Sequence, residues 1–294
     1  MVRVPELPEV ETARRGLSDL IIGRIVKAAN AIDSPKSFPN DPASVSEFLI
    51  HASIIDVRRR AKVLLIDLSS EYTLVIHLKM TGQLVYRGEI QFGAGHPNDS
   101  LIGELPDRST RVDIQFADGS HLFFNDQRKF GWVKLYPTLE VPNIDFMQRV
   151  GPEPLEDSFT AREFIPRVRR RNNTTVKAAI LDQTVLAGVG NIYADESLWG
   201  ARIHPAMRVR DVSDEQLALL LSEIKFVMNL SIEKGGSTDR NYVNIEGKRG
   251  SYIDFARVFR KEGTPCPRHP DAIVEKIRVA GRGTHICPVC QMLQ

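Results

Sequence analysis

The three cysteines of this 294-residue chain all lie within its last 29 residues. Cys266 and His269 form a C-x2-H pair, and Cys287 and Cys290 form a C-x2-C pair that follows after 17 intervening residues. Two ligand pairs at this separation are typical of a four-ligand zinc ribbon. Three thiolates and one imidazole complete a tetrahedral structural site and leave no open position for catalysis. The sequence therefore predicts a ribbon at residues 263–294 that holds one zinc ion.

The cysteine count also bears on the cellular compartment. An odd number of cysteines, confined to one end, argues against a disulfide scaffold and for a reducing environment. With 42% hydrophobic and 26% charged residues, the chain has the composition of a globular protein with enough length for two cores. No apolar run is long enough to span a membrane, and the amino terminus lacks the apolar core of a signal peptide. We therefore expect a cytoplasmic protein with no membrane partner.

The first half of the chain alternates short apolar runs with turns. The predicted strands are residues 24–32, 53–58, 63–68, 73–78, 113–116, 121–124 and 132–136. Asp118-Gly119 is a strong hairpin signal between two of them. A leading helix is predicted from Pro8 to Gly23, but no crossover helices separate the strands, so an antiparallel sandwich is favoured. Residues 88–110 are rich in Gly, Pro, Asp and Asn, which predicts a long surface loop.

The second half has helical periodicity. A basic helix is predicted at about residues 160–171, and Thr174 or Thr175 can cap the next helix. Ser213 and Gln216 form a plausible capping box for a long amphipathic helix that ends before Gly235-Gly236. The fold class is therefore α+β, with a β-sandwich followed by a helical domain and the zinc ribbon.

The segment from Pro5 to Thr12 is a candidate for covalent chemistry. If Pro5 were the terminal residue, its secondary amine would titrate near ~8 and a useful fraction would be unprotonated at neutral pH. Such an amine can attack an aldehydic carbon and form an iminium, and Glu6 would lie beside it as a proton-transfer group. The alternative is that Pro8 and the neighbouring glutamates simply begin a helix.

The same segment resembles the amino terminus of the formamidopyrimidine-DNA glycosylase/endonuclease VIII family, and the resemblance continues over nearly the whole chain. Its other motifs are Arg-Arg-x-Lys at 59–62, His-Leu-x-Met-x-Gly at 77–82, Asp-x-Arg-x-Phe-Gly at 126–131, Gly-Pro-Glu-Pro-Leu at 151–155, Gly-x-Gly-Asn-Ile-Tyr-x-x-Glu at 188–196 and a finger tip at 280–284. The resemblance implies a β-sandwich catalytic domain at 1–140, a linker at 141–156, a helix–two-turns–helix domain with a lesion loop at 157–262, and the zinc ribbon.

The resemblance also implies roles for single residues. In the family, Pro5 is the nucleophile, Glu6 assists proton transfer, and Lys62 contacts the DNA backbone at the lesion. Met80, Arg128 and Phe130 would fill the gap that an extruded nucleotide leaves in the duplex, while Asn191 and Arg282 would hold phosphates. Extrusion of a base costs a few kcal/mol, which apolar wedges between base steps offset.

The function expected from these motifs is a bifunctional DNA glycosylase that removes 8-oxoguanine and formamidopyrimidines from duplex DNA and then cleaves the abasic strand. A long polar segment at 236–252 resembles the loop that closes over a flipped purine, and it favours purine lesions. Two alternatives stay open, namely a glycosylase for oxidised pyrimidines and a lesion-binding protein without catalysis. A monomer in the bacterial cytoplasm, associated with the nucleoid, is expected.

Four residues stand in front of the candidate nucleophile, whereas the family's proline is exposed by removal of the initiator methionine. Val4 directly precedes Pro5, and a valine codon can serve as a bacterial start. We expect either a start at that codon or trimming of residues 1–4. If the extension persists, Pro5 is held in a peptide bond and cannot attack.

Overall fold

The structure is a computed structural model that describes residues 5–236 and 252–293. It divides into two units. Of the described residues, unit 1 contains 5–148 and 234–236, and unit 2 contains 149–233 and 252–293. The predicted lesion loop at 236–252 lies, apart from its two ends, outside the described residues.

The described part of unit 1 contains nine strands and a leading helix. Its strands are β1 (Val26–Ala31), β2 (Ile54–Arg60), β3 (Val63–Leu68), β4 (Tyr72–His77), β5 (Gly82–Arg87), β6 (Gln91–Gly95), β7 (Thr110–Phe116), β8 (His121–Asp126) and β9 (Trp132–Pro137). They form a five-stranded sheet in the order β1-β7-β8-β5-β6 and a four-stranded sheet in the order β2-β3-β4-β9, and every pairing is antiparallel. The predicted antiparallel sandwich is confirmed.

The leading helix, α1 (Leu7–Ile21), covers the core of unit 1. Its residues Leu17 and Ile21 are fully buried, as the helical spacing of apolar residues predicts. Gly16 faces the ring of Phe92 so closely that a Cβ atom would lie 2.2 Å from it. Any larger residue at this position would push the buried Phe92 ring out of its place between α1 and β6. The chain leaves the helix through Gly23, whose φ of 85° is one that glycine adopts without strain.

The loop predicted at residues 88–110 is wrong in part. It contains β6, which pairs with β5 along its whole length, and a 3-10 turn at Asp99–Leu101. Glycines in β6 lowered the strand signal, but Phe92 is buried against α1 and the sheet supplies the pairing. Tertiary packing therefore overrides the local composition here.

Unit 2 is mainly helical. The helices after α1 are α2 (Pro42–Phe48) in unit 1, α3 (Asp145–Arg149) at the boundary, and α4 (Ala161–Arg169), α5 (Val176–Leu181), α6 (Asn191–Gly200) and α7 (Asp214–Glu233) in unit 2, followed by the hairpin β10 (Glu275–Val279) and β11 (Arg282–Ile286). The Thr175 side chain accepts a hydrogen bond from the Ala178 amide, and Ser213 and Gln216 bond each other reciprocally. Both predicted helix starts are confirmed.

Within the described residues, no helix combines the length and apolar character that a bilayer crossing requires.

Candidate functional site

Pro5 and Glu6 lie directly before α1 and share a rigid helix start. Glu6 is the N-cap residue, and its backbone amide donates to Glu9 Oε2 at 2.8 Å, which is one half of a capping box. Glu6 and Glu9 are both buried. The segment is therefore a well-formed helix start, and the roles of Pro5 and Glu6 in catalysis stay predictions. It also fixes the backbone on which a Pro5 nucleophile would stand.

Lys62 lies in the two-residue turn between β2 and β3, next to Ala61, whose φ of 52° makes the turn tight. The Arg59 guanidinium donates to the Ala61 carbonyl at 3.1 Å and to Glu11 Oε2 at 3.1 Å. Burial raises the pKa of Glu11, but hydrogen bonds from Arg14 and its neighbouring arginines outweigh this effect and hold that pKa below its ordinary value. The Lys62 turn is thus tied to the first helix by an ionised carboxylate.

A single buried carboxylate organises the loop after β8. Asp126 accepts hydrogen bonds from the backbone amides of Arg128 (3.1 Å), Phe130 (2.8 Å) and Gly131 (2.6 Å). It also accepts one from the Thr81 hydroxyl, which belongs to the turn after β4. One fully buried side chain therefore fixes both loops that carry the predicted wedge residues. Asp126 had no predicted role, although its place at the head of the motif is a usable signal.

The three predicted wedge residues meet at the surface of unit 1. The Arg128 guanidinium lies 3.1 Å from the Met80 sulfur and stacks 4.8 Å above the Phe130 ring. Phe130 is 53% exposed, although a phenylalanine is usually buried. An exposed ring with a stacked guanidinium offers two flat faces, which suit contact with nucleic-acid bases.

His77, the first residue of the His-Leu-x-Met-x-Gly motif, is a further residue without a predicted role. Burial and, after it, the charges of Lys79 and Lys62 lower the pKa of His77 to about 3, so the imidazole is neutral near pH 7. Its Nδ1 accepts the backbone amide of Lys79 at 3.1 Å, and Lys79 has a φ of 51°. A neutral histidine therefore supports the strained turn that precedes Met80.

In unit 2, the predicted phosphate-binding residues lie side by side. Asn191 is the first residue of α6, where backbone amides point out of the helix toward any bound anion. Its Nδ2 donates to the carbonyl of Gly283 at 3.0 Å, next to the exposed Arg282 on β11. The structure therefore brings these two residues, which are 91 positions apart in the sequence, into one patch.

A buried polar network holds this patch in place. The Lys177 ammonium donates to Asp195 Oδ1 at 2.5 Å and to Thr284 Oγ1 at 2.7 Å. The other oxygen of Asp195 accepts from the backbone amide of His285 at 2.9 Å and lies 3.0 Å from its Nδ1. All four side chains are essentially inaccessible to solvent. Because a buried ion pair costs several kcal/mol when one partner is lost, β11 is firmly attached to α5 and α6.

The four predicted metal ligands form one cluster. The ligand atoms of Cys266, His269, Cys287 and Cys290 all lie within 4.8 Å of one another. The sulfurs of Cys266 and Cys290 are 3.7 Å apart, close to the edge of about 3.8 Å that a tetrahedron with zinc–sulfur bonds of about 2.3 Å requires. His269 Nδ1 is 3.0 Å from the Cys290 sulfur. The donor set and its geometry therefore fit zinc.

The ionisation of these thiols also fits a divalent cation. Burial opposes the Cys266 thiolate, but the amides of Arg268 and His269 and neighbouring side chains bring its pKa down to about 7. Burial and the adjoining sulfurs raise the pKa of Cys290 to about 12. Clustered thiols cannot all ionise together without a compensating charge, which a bound Zn²⁺ supplies.

Comparison with known proteins places this arrangement in a family. The family model for the formamidopyrimidine-DNA glycosylase N-terminal domain matches residues 4–133, that for the formamidopyrimidine-DNA glycosylase H2TH domain matches 150–242, and that for the zinc finger found in FPG and IleRS matches 271–291. A formamidopyrimidine-DNA glycosylase of Herpetosiphon aurantiacus is 41% identical over 289 residues, which cover 98% of this chain and 100% of the relative.

The chain belongs to the formamidopyrimidine-DNA glycosylase family. Membership identifies it as a DNA glycosylase of DNA repair. Solved structures agree with this assignment. The Lactococcus lactis Fpg in complex with DNA containing an abasic site has a TM-score of 0.86 and 32% identity, with 98% of this chain and 100% of that chain covered. A MutM complex with DNA containing carbocyclic 8-oxo-G has a TM-score of 0.85 and 31% identity, with the same coverage.

Proposed function

We propose that this glycosylase excises oxidised purines from duplex DNA and then cleaves the strand at the abasic site. The observation that carries the proposal is the exposed group of Met80, Arg128 and Phe130, which Asp126 holds in a fixed arrangement. Within the described part of unit 1, this group presents an aromatic ring and a guanidinium to solvent rather than to the core. Such a wedge suits an enzyme that must support a duplex while one nucleotide is extruded.

The proposed chemistry begins at C1′ of the damaged nucleotide. The Pro5 amine, once it is terminal, attacks C1′ as the bond from C1′ to the base breaks, and the base leaves with a proton. Opening of the sugar ring gives an iminium between Pro5 and C1′. Glu6 moves the proton that ring opening requires, and its placement beside Pro5 supports this role. Loss of a proton from C2′ then expels the 3′ phosphate and cleaves the strand.

Three residues would hold the phosphates around the lesion. Lys62 would contact the backbone at the lesion, while Asn191 and Arg282 would contact phosphates through an amide and a guanidinium. One zinc ion per chain would hold the β10–β11 hairpin on which Arg282 lies. Since four protein ligands fill the tetrahedron, the metal has a structural role.

Support for purine lesions comes from a structural relative, because the loop that favours them lies outside the described residues. The MutM complex of known structure contains carbocyclic 8-oxo-G, an oxidised purine analogue. The relative from Herpetosiphon aurantiacus is a bacterial protein that is named a formamidopyrimidine-DNA glycosylase. We extend these substrates to this chain, and we propose that it acts as a monomer at the bacterial nucleoid.

Matched duplexes that differ in one base test the proposed substrate class. We expect single-turnover excision of 8-oxoguanine and formamidopyrimidine to be at least ~10-fold faster than excision of thymine glycol, because a site built to bond purine edges leaves polar groups unpaired with a pyrimidine. Faster excision of thymine glycol than of the two purine lesions would establish that the protein is a glycosylase for oxidised pyrimidines. Tight binding of every lesion without release of any base would establish a lesion-binding protein instead.

The proposed DNA contacts can be separated by two substitutions. Arg282→Ala should weaken binding of damaged and undamaged duplexes alike by about 10-fold and reduce the salt slope by about 1, since it removes one phosphate contact. Phe130→Ala should leave binding of undamaged DNA within about 2-fold but slow excision by about 10-fold, because a stacked ring contributes ~1–3 kcal/mol. Fluorescence anisotropy at several salt concentrations and single-turnover excision measure both effects.

Each variant has a control in the same unit of the protein. Arg278→Ala removes an exposed guanidinium from β10, opposite Gly283 in the same hairpin. Leu139→Ala removes an apolar side chain that is 87% exposed, outside the wedge. An Arg282→Ala protein that binds as tightly as Arg278→Ala at every salt concentration would refute the phosphate contact. A Phe130→Ala protein as active as Leu139→Ala would refute the wedge.

A further inference from the structure

Trp199, near the carboxyl end of α6, lies in the same buried cluster as the zinc ligands Cys266, Cys287 and Cys290. The side chain is only 3% exposed. Its indole nitrogen is buried and makes no hydrogen bond of normal geometry to any residue that the structure describes. Burial of an N–H group without an acceptor costs about 1–3 kcal/mol, so its position calls for an explanation.

The acceptors that pack with this indole are metal ligands, since Trp199 shares one buried cluster with Cys266, Cys287 and Cys290. The ring also stacks against Arg268, which lies in the loop between Cys266 and His269. A neutral thiol is a weak acceptor, whereas a zinc-bound thiolate keeps lone pairs that accept hydrogen bonds well. A zinc-bound thiolate of this cluster would therefore satisfy the orphaned N–H group.

Two guanidinium groups pack on the indole of Trp199, where they hold the ring in place and strengthen its N–H group as a hydrogen-bond donor. The Arg268 guanidinium carbon lies 3.9 Å from the ring centroid of Trp199, and that of Arg257 lies 4.8 Å from it. Arg268 donates to the carbonyls of Trp199 (2.8 Å) and Gly200 (2.9 Å), and Arg257 lies 3.0 Å from a carboxylate oxygen of Glu223. Positive charges over an aromatic face draw electron density from the ring and make its N–H group a stronger donor.

The position of Arg268 links the ring to the metal loop. Arg268 stands between the ligands Cys266 and His269, so a metal that fixes these two ligands also fixes the guanidinium on the indole. The same arginine bonds the carbonyls at the carboxyl end of α6, the helix that begins with Asn191. The indole, the metal loop and α6 are thus one connected assembly within unit 2.

We propose that Trp199 is a positioning residue of the zinc site, which donates its indole N–H to the Cys266 sulfur in the metal-bound protein. Three thiolates and one neutral imidazole around Zn²⁺ give the site a net charge of −1. The hydrogen bond withdraws part of this negative charge from the Cys266 sulfur. It stabilises the bound state and couples it to α6. The inference concerns zinc binding alone and does not depend on which lesion the protein excises.

The test compares Trp199→Phe with Trp132→Phe, because these are the two tryptophans of the chain and Trp132 lies on β9 of unit 1. Competition with a coloured chelator should show zinc bound about 10-fold more weakly by Trp199→Phe, at the lower end of the ~10–100-fold effect of lost outer-shell partners. In the cobalt-substituted protein, the sulfur-to-metal charge-transfer band should move to lower energy, since a sulfur without its hydrogen bond gives up an electron more easily. Trp132→Phe should change neither quantity.

Packing alone would not shift the charge-transfer band, which separates a hydrogen bond from a merely structural role. Equal zinc affinity and an unmoved band in Trp199→Phe would overturn the proposal. If Trp199→Phe does not fold, the ¹⁵N-labelled Trp132→Phe protein decides, because its single indole signal belongs to Trp199. On loading with cadmium, that indole proton should move downfield and exchange slowly, and an unmoved, rapidly exchanging proton would overturn the proposal.

Discussion

A form of the protein that begins at Pro5 is expected to cleave lesion-containing DNA at least ~10³-fold faster than a form that retains residues 1–4. The reason is chemical, since a proline nitrogen in a peptide bond has no basic lone pair, and the covalent route through C1′ is closed to it. The measurement is strand cleavage at an abasic site under single-turnover conditions, with the mass of the amino terminus determined for each preparation. The structure supports the expectation through the capping box that fixes the backbone beside Pro5.

A matched control keeps the two forms comparable. Both should bind abasic-site DNA within a few-fold of each other, because the wedge of Met80, Arg128 and Phe130 is unchanged. A third form begins at position 5 but carries Pro5→Gly, so that a primary amine replaces the secondary amine of proline. This form tests whether any terminal amine is sufficient for strand cleavage. Equal cleavage by a protein proven to retain Met1 would exclude Pro5 as the nucleophile, and Lys62 would become the next amine to examine.

Removal of zinc is expected to abolish DNA binding, with an affinity loss of more than ~100-fold, while unit 1 stays folded. Zinc binding in small ribbons supplies about 10–16 kcal/mol of folding free energy, and without it three clustered sulfurs repel one another. The β10–β11 hairpin carries Arg282, and its Gly283 carbonyl accepts a hydrogen bond from the Asn191 side chain, so loss of the hairpin should remove both proposed phosphate contacts. Elemental analysis and DNA-binding titrations before and after chelation measure the effect.

The two tryptophans report on the two units separately. Trp199 lies in one cluster with the predicted zinc ligands, and its emission should change on chelation, whereas Trp132 packs near His77 in unit 1 and should not respond. His269→Cys keeps four ligands and should retain both zinc and DNA binding, but Cys290→Ala should lose both. Freshly purified protein without zinc, or undiminished DNA affinity after complete chelation, would contradict the assigned role.

Local sequence signals predicted much of this fold. The hairpin at Asp118-Gly119 joins β7 to β8, and the capping pair Ser213 and Gln216 begins α7. The spacing of Cys266, His269, Cys287 and Cys290 predicted the metal cluster. In each case the signal and the structure lie within a few residues or follow a fixed ligand geometry, so no knowledge of distant packing was needed.

Features that depend on distant partners were missed. Strand β6 lies in a segment whose glycines indicate a loop, and it forms because Phe92 packs against Gly16 and β5 supplies hydrogen bonds. The burial of Lys177 with Asp195 could not be predicted, since charged residues are almost never fully buried. The pair depends on Thr284, 107 positions from Lys177, and on His285, 90 positions from Asp195. Sequence patterns report local periodicity, whereas these contacts are set by tertiary structure.

In the candidate site too, features with local sequence signals were predicted, and features that depend on distant contacts were missed. The motifs placed Phe130 in a wedge, and its exposure agrees with that hypothesis rather than with the usual burial of phenylalanine. The residue that organises the wedge, Asp126, was missed because its contacts run to backbone amides and to Thr81 in another loop. The assigned roles of Pro5 and Lys62 stay predictions, since chemistry at C1′ is tested by reaction and not by position.

The central claim is that the Pro5 amine forms the covalent intermediate, and mapping the trapped adduct tests it most directly. Protein that begins at Pro5 is mixed with DNA containing 8-oxoguanine, reduced with borohydride and digested, and the residue that carries the sugar remnant is identified by mass spectrometry. The account predicts one DNA adduct per chain, attached at the nitrogen of Pro5. Attachment at Lys62, or excision of the base with no trapped adduct, would contradict it.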